Sequence, residues 1–109
     1  MKKISLTALA RHELVHAKEA PSGRSAKTVF GGHEHVMRQT LVAMRAGVSM
    51  SEHENPGEAT LWVIQGRVSL ISGENNWEGS GGDLIIVPDA RHSLEALEDS
   101  VVVLTVAKR

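Results

Sequence analysis

Short apolar runs, each closed by glycine, proline or asparagine, follow one another through most of the chain, and they constrain the fold more than any other feature. The runs from about Val36 to Met44, at Thr60–Ile64, at Arg67–Ile71, at Asp83–Val87 and at Val101–Val106 each read as one strand. Ala46-Gly47 turns the first of them, Gly66 parts the next two, and Glu74-Asn75-Asn76 reads as a polar loop. Asn55-Pro56-Gly57-Glu58, with proline second and glycine third, suits a type II turn. A shorter β run lies at Lys27–Phe30, broken by Gly31-Gly32. Many short strands with turn signals between them predict an all-β barrel or sandwich. Ile4 to Ala20 differ: Leu6, Leu9, Ala10, Leu14 and Ala17 recur at helical spacing. Ser5 or Thr7 can cap that helix, and Pro21-Ser22-Gly23 ends it.

At 109 residues the chain is one domain, able to bury roughly two-thirds of its unfolded surface. A net charge of -1 supplies no basic field for nucleic acid. The longest apolar runs, Leu84–Val87 and Val101–Leu104, are far too short to span a bilayer. Ala8-Leu9-Ala10 is followed at once by Arg11-His12-Glu13, which breaks any signal-peptide core, so a cytoplasmic protein is expected. With no cysteine, disulfides, thiolate metal sites and cysteine nucleophiles are excluded.

Two histidines sit inside glycine-proline frames. The first frame runs Gly47-Val48-Ser49-Met50-Ser51-Glu52-His53-Glu54-Asn55-Pro56-Gly57-Glu58-Ala59 and on to Gly66. The second runs Gly82-Asp83-Leu84-Ile85-Ile86-Val87-Pro88-Asp89-Ala90-Arg91-His92 and on to Ala96. Together they resemble the two-part signature of the cupin superfamily, G-x5-H-x-H-x3,4-E-x6-G and G-x5-P-x-G-x2-H-x3-N. The resemblance covers roughly Gln39 to Val106. It implies a cupin double-stranded β-helix, a jelly-roll barrel, over 36–109, with a helix and lead-in strand over 1–35, all in one domain. It also implies a metal centre of three histidines and a glutamate. Here Asn55 stands for the second histidine and Ala59 for the glutamate, so only His53 and His92 occupy ligand positions.

Alternation along a strand sends every second side chain to one face. With Ala59 inward, Leu61 and Val63 follow it, and Thr60, Trp62 and Ile64 face out. Trp62 then needs cover from the helix or from a second subunit. With His92 inward, so are Leu94 and Ala96. For the strand before Gly47 the resemblance favours Arg38, Thr40, Val42 and Met44 inward, which brings Arg38 and Thr40 near the histidines. Leu104 and Val106 complete an apolar wall. The expected ligand-binding set is Arg38, Thr40, Asn55, Leu61 and Leu104, with His53 and His92 as metal ligands.

Two imidazoles and one amide oxygen suit zinc, nickel, copper, iron or manganese, held weakly because no carboxylate neutralises the ion. Glu58 neighbours the ligand position with the wrong parity unless the strand is bulged. His33 and His35, at i and i+2, are expected to decorate a surface strand or a subunit contact. His12-Glu13-Leu14-Val15-His16 matches H-E-x-x-H literally. A metalloprotease reading, with His12 and His16 on zinc and Glu13 as base, is rejected: no third ligand is defined and the chain is too small for a protease cleft. Arg24 and Lys27 read as solvated loop charges, and Trp77 as packing on the barrel edge. Gly79-Ser80-Gly81-Gly82 precedes no helix, so a phosphate loop is excluded.

The expected function is that of a small stand-alone cupin, a homodimer, binding a small molecule in the barrel cavity, either with no cofactor, His53 and His92 then being hydrogen-bonded cavity residues, or through a weakly held divalent metal. The alternative is a cupin enzyme, either a metal-dependent dioxygenase or a metal-free isomerase-like protein using His92 as base. No nucleic-acid or membrane partner is expected.

Overall fold

The computed structural model describes residues 2–53 and 57–108. Helix α1 spans Leu6–Glu19. The Ser5 hydroxyl accepts from Ala8 N at 3.2 Å and satisfies one of the N–H groups that a first turn leaves open. Ala20 leaves the helix in extended backbone, as a residue before proline prefers.

Among the described residues nine strands follow: β1 (Arg24–Gly31), β2 (Met37–Met44), β3 (Ser49–His53), β4 (Gly57–Gln65), β5 (Arg67–Ser72), β6 (Asn75–Ser80), β7 (Leu84–Ile86), β8 (His92–Ala96) and β9 (Ser100–Lys108). They form a five-stranded sheet ordered β1-β2-β9-β4-β7 and a four-stranded sheet ordered β3-β8-β5-β6. All neighbours are antiparallel. The C-terminal strand inserts between β2 and β4, and β8 between β3 and β5, giving the wrapped double sheet of a jelly roll.

Several sequence expectations change here. The polar loop at Glu74-Asn75-Asn76 is a tight turn at Gly73-Glu74, and Asn75 already opens β6, which escapes notice because its side chains are exposed as far as Glu78. The β run at Lys27–Phe30 begins three residues earlier, at Arg24, and carries a bulge between Thr28 and Phe30 that breaks its alternation. Gly57 and Glu58, expected in a turn, belong to β4, where a side chain at position 57 would strike the Ala107 carbonyl. Asn55 and Pro56, the rest of that turn, lie outside the described residues. Gly66 does mark the β4–β5 corner: its φ is +88°, and a Cβ there would meet the Ser100 hydroxyl that holds Arg67 N at 3.0 Å.

The facing predicted from alternation holds. Val42, Met44, Ala59, Leu61, Val63, Leu94, Ala96, Val102 and Val106 pack between the two sheets. The opposite face of the five-stranded sheet presents Leu41, Ala43, Val101 and Val103 to α1, with Ile64 at the margin. Ala10, Glu13 and Ala17 form the buried stripe of α1, so small side chains let the helix approach the sheet closely. Trp62 stays 42% exposed. No helix among the described residues is long and apolar enough to cross a membrane.

Candidate functional site

His92 opens β8 and is 5% exposed. Its Nδ1 lies 2.9 Å from the Ala90 carbonyl oxygen. A carbonyl only accepts, so Nδ1 carries the hydrogen and, in the neutral ring, Nε2 carries the lone pair. Backbone pairing sets His53, the last residue of β3, directly opposite His92. The side chain of His53 and the whole of Asn55 lie outside the described residues.

His92 borders an apolar slot walled by Leu61, Leu70, Leu94 and Leu104, with a volume near 20 Å³. That is room for about one water molecule. Among the described residues, side chains of the two sheets fill most of the space beside His92. Val42, Met50 and Leu104 also line a larger groove of about 610 Å³, so the slot forms the floor of that groove. Arg24, Arg38 and Thr40 stand along it. Arg38 pairs with Val106 and Thr40 with Leu104 across β2 and β9. β6 approaches β4 and β7 along the opposite flank of the sandwich.

Arg24, which the sequence presents as a solvated loop charge, is not in a loop. It belongs to β1, where it pairs with Met44, while Ala26 pairs with Val42 and Thr28 with Thr40, so these three share the barrel side. A β1 begun at Arg24 would have shown this from parity alone.

The remaining metal-position residues fall as follows. Ala59 is 9% exposed within the core, and its methyl occupies the inward position. Glu58 pairs with Ala107 in an unbroken stretch and is exposed; the β4 bulge comes only between Val63 and Gln65, too late to turn Glu58 inward. His33 and His35 are not on a strand: they sit exposed in the β1–β2 connection, where Lys108 Nζ donates to the Gly32 carbonyl at 2.9 Å. His35 packs edge-on to Phe30. The residues His12, Glu13 and His16 on α1 do come together, with one donor atom from each within 4.8 Å of the others. Outside the barrel, a depression of about 880 Å³ runs between the N-terminal segment and the sheet, past Lys2, Lys3, Phe30 and Trp62; sequence reasoning did not find it.

The architecture is that of the cupin jelly rolls. A cupin superfamily protein from Desulfitobacterium hafniense superposes with a TM-score of 0.75 at 16% identity, over 99% of this chain and 92% of its own. A conserved protein of unknown function from Streptococcus pyogenes gives 0.74 at 20% identity, over 83% and 78%. KdgF from Halomonas gives 0.67 at 23% identity, over 84% of each chain. Within that class the chain is a small domain, similar also to solved cupin-2 and RmlC-like cupin structures. No protein-family model matches the sequence, and no curated protein does. Identities this low speak to the fold alone.

Proposed function

We propose that the protein binds a small anionic molecule at the barrel mouth, seated in the groove rather than inside the barrel. The observation that carries this reading is the meeting of a buried, oriented His92 with a groove whose rim bears Arg24 and Arg38. Guanidinium groups recognise carboxylates through paired hydrogen bonds, so a carboxylate ligand suits the rim. Thr40 offers a hydroxyl, and Leu61 and Leu104 an apolar floor. Only a single ligand atom or a water fits the slot beside His92.

A divalent metal fits this site in part. Nε2 of His92 is a competent donor in the neutral ring, and His53 stands opposite in register. The walls around them are aliphatic, and Ala59 supplies no charge, so zinc, nickel, copper, iron or manganese would be held weakly. The same lone pair on Nε2 favours a second reading, a metal-free enzyme in which His92 takes a proton from a bound substrate.

Calorimetric titration with a panel of small mono- and dicarboxylates tests the binding reading. Binding to the wild type that falls at least about ten-fold in Arg38→Ala and in Arg24→Ala is the expected result, one charge-assisted contact being worth roughly that much. A panel without any binder, or affinities indifferent to both arginines, overturns it. Elemental analysis of protein purified without tags or chelators decides the metal.

The outer face of the five-stranded sheet supports a homodimer. Trp62 pairs with Leu84, and Ile86 follows on the same side, leaving three large apolar side chains 42%, 58% and 68% exposed. A second copy related by a two-fold axis would cover them.

A further inference from the structure

We infer that α1 carries a separate metal site, built by His12, Glu13 and His16 on the outer surface, that takes a borderline-soft divalent ion such as zinc, nickel or copper. His12 and His16 are one helical turn apart, and Glu13 is three residues before His16, so the three form a triangle on one helix flank. The two imidazole rings already stand 4.4 Å apart, tilted by 49°. Glu13 is 6% exposed, yet its carboxylate turns one edge to this pair: Oε2 lies 3.8 Å from His12 Nε2.

The other carboxylate oxygen is engaged. Ser25 Oγ on β1 donates to Glu13 Oε1 at 2.6 Å, which fixes the group's orientation as an outer partner fixes a metal ligand. A carboxylate removed from water calls for opposite charge, and a neutral hydroxyl supplies none. Among the described residues, the cationic side chain paired with Glu13 is His12 itself, and only when protonated. A metal shared by the three residues would supply that charge. Donors on one tetrahedral zinc lie roughly 3.4 Å apart, given bonds of about 2.0–2.2 Å. The three donor atoms, all within 4.8 Å, need to close by little more than an ångström. His12 is 62% exposed and has the freedom to do it. Three protein donors leave one coordination position to solvent.

The site differs in kind from the barrel mouth. There the carboxylate position is Ala59; here the carboxylate is present and held. A bound ion would tie two turns of α1 to each other and, through Ser25, to the edge strand of the barrel.

Zinc titration in competition with a chromophoric chelator tests the inference. The wild type is expected to bind one zinc ion more tightly than any other, and His12→Ala/His16→Ala, altered at two exposed positions that leave the core intact, to lose that ion by at least ten-fold in affinity. Glu13→Gln, which keeps an acceptor for Ser25, should lose about ten-fold as well. Zinc should raise the melting temperature of the wild type and leave that of the double variant in place. Equal zinc affinity in the wild type and His12→Ala/His16→Ala overturns the inference, and places the tight ion elsewhere.

Discussion

The two faces of the five-stranded sheet are built from the same alternating strands and end differently. The barrel side is closed over by the second sheet, with Leu61, Val63, Val102 and Val106 packed almost out of reach of water. The outer side is covered only in part. Helix α1 lies over Leu41, Ala43, Val101 and Val103, while Trp62, Leu84 and Ile86 remain open. Alternation assigns a residue to a face; what then covers that face is decided by elements elsewhere in the chain.

The sharpest way to break this comparison is to remove one large side chain from each face. Leu61→Ala, at a position 3% exposed on the barrel side of the same strand as Trp62, should cost about 2–5 kcal/mol in denaturant unfolding. Trp62→Ala should cost the isolated subunit less than about 1 kcal/mol, as a surface change does. Equal costs would mean that the outer face is as buried in solution as the core.

The next effect concerns the chemistry of the inner face. In the His12→Ala/His16→Ala background, Asn55→His with Ala59→Glu rebuilds the four-ligand set that the cupin resemblance implies, and zinc affinity should rise by roughly 100-fold or more, since even an outer partner is worth 10–100-fold. No change in a competition titration would show the barrel mouth to be a small-molecule site without metal capacity.

On the outer face, Ile86→Asp should weaken self-association by at least about ten-fold, read as a fall in mass by light scattering, because it places a charge in the centre of the open patch. A wild type that is monomeric at micromolar concentration removes the dimer.

The smallest effect sits where the helix is tied down. Asp99 accepts from Ala46 N at 2.8 Å and pairs with Lys18 of α1 at 3.2 Å. The Ala46 N–H, chiefly, holds its carboxyl below the usual carboxylate range, with Lys18 adding to it. The stabilisation is therefore complete above the unfolded-state value of about 3.9 and disappears as pH falls through the lower folded value. Asp99→Asn keeps an acceptor for Ala46 and removes the titration. The wild type should lead modestly near neutrality and lose that lead in acid, by urea melts at a series of pH values.

Much of this was legible in the residues. Alternation divided β4 and β2 into two sets each, the cupin resemblance chose which set faces inward, and the Gly66 corner came from its place in the first frame. β6 was not legible, because an edge strand with Asn75, Asn76, Trp77 and Glu78 all exposed shows no alternation. Nor was Arg24, since the first half of β1, Arg24 to Thr28, is largely exposed and polar and gives no apolar signal of a strand. Glu13 shows a different limit. Hydrophobic spacing chose Leu6, Leu9, Ala10, Leu14 and Ala17 for the buried stripe, and no such rule places a carboxylate at its centre. Its hydroxyl partner is twelve residues away on another element, a contact only the fold creates.

The orientation of His92 rests on a main-chain oxygen. Whatever side chain is carried at position 90, the carbonyl remains, so no substitution there deprives the imidazole of its support. A site braced in this way can exchange its other members while the bracing half stays as it was. On the proposed reading, variation at positions 38, 55 and 59 becomes a change of cargo on an unchanged mount, and the barrel mouth can be re-specified one neighbour at a time.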